Sequence, residues 1–196
     1  MAVVQLQQLS IMLDLLKETD LANSAITLAK EIDAGIQQFG VLQHLSFGNI
    51  FAYEVDGYGN VNMMDDANIP SLLSLPYLGY LSVDDALYQS TRKFLLSDSN
   101  PYFFKGNAGE GIGGPHVGLN YIWPMSIIMR ALTSNDDNEI SQCLQTLKES
   151  TADTNFMHES VEEINVKDIN QFSLKKTMLQ VLHALGLLGQ ILYLAN

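Results

Sequence analysis

Helical pairs joined by long polar and aromatic loops, with only minor strand, are the fold class that this chain predicts, on three observations. Apolar residues recur at three- and four-residue spacing from Leu6 to Phe39. Signals that start or stop helices return after Ser82, Pro124 and Ser134. Between them, from Gly40 to Tyr80 and from Gly106 to Gly118, helical spacing lapses and acids, glycines and aromatics concentrate. The 196 residues, 47% hydrophobic and 16% charged, suit one domain with a substantial core and argue against disorder.

Leu6, Leu9, Leu13 and Leu16, with Met12 beside them, predict a first amphipathic helix ending near Lys17. Thr19 and Asp20 offer caps for a second, whose inward stripe is Leu21, Ala25, Leu28, Ile32, Ile36 and Phe39. The very short connection implies an antiparallel hairpin. Phe51–Val55 reads as a short strand, Gly57-Tyr58-Gly59-Asn60 as a turn, and Ser71–Leu75 as a short helix between Pro70 and Pro76. Ser82-x-x-Asp85 is a capping box before a helix through Leu87, Phe94 and Leu95 that stops ahead of Asn100-Pro101. Pro124 opens a helix to Leu132, and Ser134-Asn135 begins another with Ile140, Leu144 and Leu147 inward. Ser150–His158 reads as polar loop and Phe172–Leu194 as a long apolar helix.

Composition limits what the chain binds. A net charge of −12 opposes nucleic acid and anionic membrane, while leaving neutral polyols acceptable, since hydroxyls donate well to carboxylates. Cys143 is the single cysteine, which excludes an internal disulfide framework and a cysteine zinc site, and its helical neighbours mark an inert packed thiol. The N-terminus lacks the basic region of a signal peptide, no run reaches the length of a membrane span, and no Asn-x-Ser/Thr acceptor occurs. The cytoplasm is the default expectation. Gly109-x-Gly111-x-Gly113-Gly114 resembles a phosphate loop only superficially, because no clean strand precedes it, no Lys-Ser/Thr follows and Glu110 repels phosphate. Those glycines are expected to let the backbone turn so that His116 and Trp123 face a cleft. His116, His158, Asp65 and Asp66 match no compact metal-ligand spacing, and no cofactor is expected.

The segment Ala52–Tyr80 holds Glu54, Asp56, Asp65, Asp66 and three asparagines among apolar residues, with no basic residue. Acids beside apolar surface mark either a site or helix caps. Several blocks along the chain carry a resemblance. They are Ala52-Tyr53-Glu54-Val55-Asp56-Gly57-Tyr58-Gly59-Asn60, Met64-Asp65-Asp66-Ala67-Asn68-Ile69-Pro70-Ser71-Leu72-Leu73, Asn100-Pro101-Tyr102-Phe103, Gly114-Pro115-His116, Tyr121-Ile122-Trp123-Pro124 and Phe156-Met157-His158-Glu159. In this order they resemble glycoside hydrolase family 125, the metal-independent exo-α-1,6-mannosidases.

The resemblance implies an (α/α)6 toroid of six helical hairpins, an inverting mechanism without metal, and a mannose-containing oligosaccharide as ligand. It carries the family's general base over to Glu159, with His158 as a candidate to orient it. Inversion places base and acid roughly 6.5–9.5 Å apart around a water. Asp65, Asp66 and Asn68 become candidate sugar ligands or supports of the inner site, and Glu54, His116 and Tyr121 weaker candidates of the same kind. Trp123 offers a stacking face for a pyranose or, alternatively, core.

Two departures stand out. The family's general acid lies in an upstream Arg-Pro-Ser-Asp-Asp block, which occurs nowhere here, the first arginine being Arg92. Phe172-Ser173-Leu174 begins like the family's Phe-Thr-Arg-x-Trp-Phe-Ala-Trp segment but lacks the arginine and both tryptophans. The expectation is therefore a single unit, residues 1–196, corresponding to the C-terminal half of a six-hairpin catalytic domain and inactive by itself. A non-catalytic helical module binding carbohydrate or a partner is the alternative, with self-association possible through the exposed edge of a partial toroid.

Overall fold

The computed structural model describes residues 1–107, 109–151 and 154–162. The predicted helix Phe172–Leu194 therefore lies outside the described residues. Five helices and four two-stranded antiparallel ladders make up the described chain.

Helices α1 (Ala2–Leu15) and α2 (Thr19–Phe39) form the predicted hairpin. Lys17 adopts φ 64°, Glu18 N donates to Leu13 O and Lys17 N to Asp14 O, which is a Schellman closure with lysine at the left-handed position. Glu18 is the N-cap of α2, so Thr19 and Asp20 fall inside its first turn rather than capping it. The inward faces also differ from the predicted stripes. Val3, Val4 and Ser10 are buried on α1 and Ala22, Ala25 and Ala29 on α2, whereas Leu9, Met12, Leu16, Leu21, Leu28 and Phe39 are exposed. Close packing of the two helices selects the small residues, and the larger apolar ones are left outside.

The hairpin joins the remainder through its base. Ala52 N donates to Gly40 O, and the Tyr80 hydroxyl donates to Asp33 Oδ1 (2.6 Å) while accepting from Gln37 Nε2. Burial and the Asp33 carboxylate push this phenol up to about 12. Strands β1 (Val41–His44) and β2 (Gly48–Phe51) pair, as do β3 (Glu54–Val55) and β4 (Val61–Asn62). The predicted strand Phe51–Val55 is thus split, its first residue closing one ladder and its last two opening the next. Residues 71–80 form successive turns instead of a helix. The Ser71 and Ser74 hydroxyls bond local backbone, and Pro76 contributes no donor.

Helix α3 (Ala86–Leu95) is capped by Asp85, which accepts from Leu87 N and Tyr88 N. The capping box assigns that place to Ser82, which lies one turn earlier and accepts from Asp84 N. Part of the glycine-rich loop is a hairpin, β5 (Phe103–Gly106) with β6 (Gly109–Ile112). Helix α4 (Pro124–Leu132) starts at its proline as predicted. Helix α5 (Asp137–Glu149) is capped by Asp136, two residues beyond Ser134, whose hydroxyl bonds Glu139 instead. Cys143 takes the inward position and Leu144 faces solvent, a shift of one residue around the helix. Burial raises the Cys143 thiol above its ordinary range, as an inert packed thiol requires.

One core cluster gathers Ile50, Leu73, Phe94, Leu95, Ile112 and Met129, and a second gathers Phe104, Ile122, Ile127 and Cys143. An ion-pair chain braces the far side. Arg92 and Arg130 share Glu139, and Arg130 also holds Glu110.

Candidate active site

The acidic pair divides into two environments. Asp65 has no exposed surface. Its Oδ1 accepts from Leu72 N (2.9 Å) and its Oδ2 from Leu73 N (3.0 Å), while its own N donates to Asn100 Oδ1. Asn100 is in turn fixed to Leu95 O. Burial pushes the Asp65 carboxyl up to about 7, against backbone donors that pull it down. With both oxygens committed to backbone, Asp65 holds the 71–73 turn from beneath.

Asp66 lies directly above it in the chain and turns the other way. Its Oδ1 accepts from both the backbone N and the Nδ2 of Asn68, each at 2.9 Å, a local Asx turn. Gly114 stands against the carboxylate, where a Cβ would lie 3.0 Å from Oδ1 and 3.2 Å from Oδ2. Ala67 N donates to Gly113 O, so the acidic segment is pinned to the glycine-rich segment. Tyr53, which sequence reasoning did not single out, faces the same acids. Burial, then the charges of Asp66, Asp65 and Glu54, raise its phenol, so it remains a neutral donor. Its place beside Glu54 in the first matching block was the available signal.

The glycines serve close approach more than turning. A Cβ on Gly113 would sit 2.0 Å from Tyr121 O, and one on Gly111 would sit 2.6 Å from Ile122 Cγ2. Trp123 N donates to Ile112 O, which locks the next segment alongside. That segment carries β7 (Tyr121–Ile122), and β7 pairs with β8 (Val161–Glu162) in the register Tyr121↔Glu162 and Ile122↔Val161. Glu159, half-buried, lies two residues before β8. The exposed His116 ring stands edge-on to Trp123, with centroids 4.8 Å apart. Trp123 is buried, and its indole N–H has no acceptor among the described residues.

The segments that carry Asp66 and Asn68, Gly113–His116, Tyr121–Trp123 and β8 thus lie one against the next as a strip. Glu54 stands apart, exposed on β3, accepting from Asn62 Nδ2 across its own hairpin. His158 is buried, and its Nε2 lies 3.1 Å from both Thr151 O and Thr154 Oγ1. Its Nε2 therefore serves the loop between Thr151 and Thr154. Among the described residues no group of three or more His, Cys, Asp or Glu is placed to hold a metal ion. Nor is any described helix long and apolar enough to cross a membrane. A polar cleft of about 640 Å³ lies elsewhere, between Arg92, Arg130 and Glu139, and includes none of these residues.

Residues 1–175 match the family described as metal-independent alpha-mannosidase, glycoside hydrolase family 125. The meiotically up-regulated gene 157 protein of Schizosaccharomyces pombe is 51% identical over 172 residues, covering 87% of this chain and 34% of that protein. A solved Streptococcus pneumoniae metal-independent alpha mannosidase, in a non-productive complex with alpha-1,6-mannobiose, superposes with a TM-score of 0.83 at 38% identity. That match covers 87% of this chain and 41% of the bacterial one. The chain therefore spans between one third and one half of the length of these two relatives.

Proposed function

The chain belongs to the metal-independent α-mannosidases of glycoside hydrolase family 125, and on that premise we propose that it forms part of an inverting exo-α-1,6-mannosidase site for terminal mannose on glycans. The mannobiose held by the pneumococcal relative supports a mannose-containing oligosaccharide as ligand. The observation that supports the reading is the family match, beside contacts that set the Asp66–Asn68 segment against Gly113 and Gly114 and pair β7 with the strand that begins two residues after Glu159.

In this reading Glu159 takes the proton of the attacking water. Asp66 keeps Oδ2 for a sugar hydroxyl while Asn68 occupies Oδ1. Tyr121, His116 and, at the margin, Glu54 supply further polar contacts, and Trp123 supplies an apolar wall. Asp65 supports the strip from below. The general acid is not among these residues, because the chain holds no Arg-Pro-Ser-Asp-Asp block. In the full arrangement this chain would be the C-terminal half of an (α/α)6 toroid, with the acid delivered from polypeptide of the other half.

General acid–base assistance contributes about 10²–10⁴-fold per group, so the isolated chain is expected to bind α-1,6-mannobiose without measurable turnover. Calorimetry and a mannose-release assay on the purified chain test this. Hydrolysis that Glu159→Gln abolishes would overturn the expected inactivity, and hydrolysis indifferent to that substitution would overturn the assignment of the base. Binding without turnover, persisting in Glu159→Gln, is also what a carbohydrate-binding module would give. The missing acid block is the observation favouring that second reading.

A further inference from the structure

The polar cleft between α3, α4 and α5 shares no residue with the strip and lies toward the other end of the helices that reach it. Helix α4 leaves the strip at Pro124, beside Trp123, and its 9 residues carry the chain about 13 Å toward the cleft wall at Arg130 and Thr133. On α3, the Leu95 carbonyl holds Asn100, which in turn holds Asp65 N. Arg92 and Gln89, about one and two turns earlier on the same helix, line the cleft. Its volume of about 640 Å³ falls in the range of small-molecule sites, about 300–1,000 Å³.

The lining selects the chemistry of a ligand. Val83 is the sole aliphatic side chain among the described lining residues, so an apolar tail finds no cover. Both guanidinium groups are committed, Arg92 to Glu139 and Arg130 O, and Arg130 to Glu139 and Glu110. Asp84, Asp136 and Glu139 outnumber the two arginines, which disfavours an anion. Among the described residues no three His, Cys, Asp or Glu are grouped to hold a metal ion. No strand lines the cleft, so a peptide backbone has no ladder to join. What the cleft does offer is four side-chain amides, on Gln89, Asn135, Asn138 and Gln142, each both donor and acceptor. Asp84 and Asp136 add acceptors, each with one oxygen engaged, by Asn135 Nδ2 and Asn138 N, and the other left for a ligand. Arg92 Nε is buried and has no acceptor among the described residues. Neutral groups that donate and accept side by side, as vicinal hydroxyls do, complement this set.

We infer that the cleft is a second carbohydrate site, which takes a neutral pyranose through paired hydroxyl contacts to Asp84, Asp136 and the surrounding amides. No aromatic face lines it among the described residues, so it binds weakly and reads hydroxyl pattern instead of stacking a ring. The inference does not depend on the strip acting on mannosides.

The test is titration of the isotope-labelled chain with methyl α-mannoside, followed residue by residue in amide NMR spectra. Saturable shifts are expected at Gln89, Asn138 and Gln142. The double substitution Asn138→Ala and Gln142→Ala replaces two exposed helical side chains and should weaken that response at least tenfold. Signals of Asn68 and His116, on the strip, report the first site separately and should keep their wild-type response. The remaining amide shifts verify that the variant is folded. No shift at the cleft, a shift that survives the double substitution, an equal response to glycerol, or a response to sulfate in place of the mannoside would each overturn the inference. Shifts at the cleft with none at the strip would instead refute the reading of the strip and leave the second site standing.

Discussion

At the scale of single residues, the two adjacent aspartates sit in different environments. Asp65 is fully buried on the backbone of Leu72 and Leu73, and Asp66 is oriented by Asn68 against Gly114. The Asp65 carboxyl sits at about 7 when folded against an ordinary 3.8. For a raised acid the folded state retains a proton that the unfolded chain has released, so stability is fully present below about 4 and declines as pH climbs through 7. The loss is on the order of 4 kcal/mol, at roughly 1.4 kcal/mol for each tenfold difference in proton affinity between the folded and unfolded chain. Asp65→Asn removes this titration and turns an amide donor toward a backbone N–H, at a cost of about 1–3 kcal/mol. Urea denaturation between pH 5 and 8 should give a flatter stability profile for the variant and lower stability at pH 5. No sequence signal distinguishes the two aspartates, because the partners that bury Asp65 arrive seven and eight residues later in a turn that the flanking prolines suggested was a helix.

At the scale of elements, positions were legible and faces were not. Spacing located α1 and α2 and the stop near Lys17, and Pro124 located α4. Caps slipped where several Ser, Asn and Asp side chains competed, as at Ser82 against Asp85 and Ser134 against Asp136. A stripe in sequence records which residues want cover, and it does not record which partner supplies it. That is why Leu9 and Leu16 of the predicted inward stripe stand outside while Leu6 and Leu13 are half-buried. Short ladders such as β5–β6 were hidden because glycine carries no alternation of side chains. One element carries avoidable strain. Lys17 occupies a left-handed position that costs a non-glycine residue about 1 kcal/mol, partly offset because glycine loses more chain entropy on folding. Lys17→Gly is therefore expected to stabilise the chain by up to about 0.5 kcal/mol, raising its melting temperature by about 1–2 °C. Differential scanning calorimetry checks it, and a lower melting temperature would show that the lysine side chain contributes something its backbone does not reveal.

At the scale of the whole molecule, the family and the mainly helical fold agree with what the sequence blocks implied, whereas the contacts among the candidate segments are visible only in the structure. Nothing in the spacing of Asp66, Gly113, Tyr121 and Glu159 says that Ala67 N meets Gly113 O or that β7 pairs with β8. Those contacts span long intervals of chain and arise from packing around Ile112 and Ile122. The ladder joining β7 to β8 has a further consequence. Two residues on each side fasten a stretch of chain that departs at Ile122, passes through α4 and α5, and returns at Val161. Fastening of this size adds about 1 kcal/mol per bond, against core helices held by the full cooperative unit. The Val161 amide should therefore exchange with solvent well before that of Leu95, which hydrogen-exchange mass spectrometry of peptides spanning each would register. The segment around Glu159 is thus held by a latch, which heating would release while the two cores are still intact.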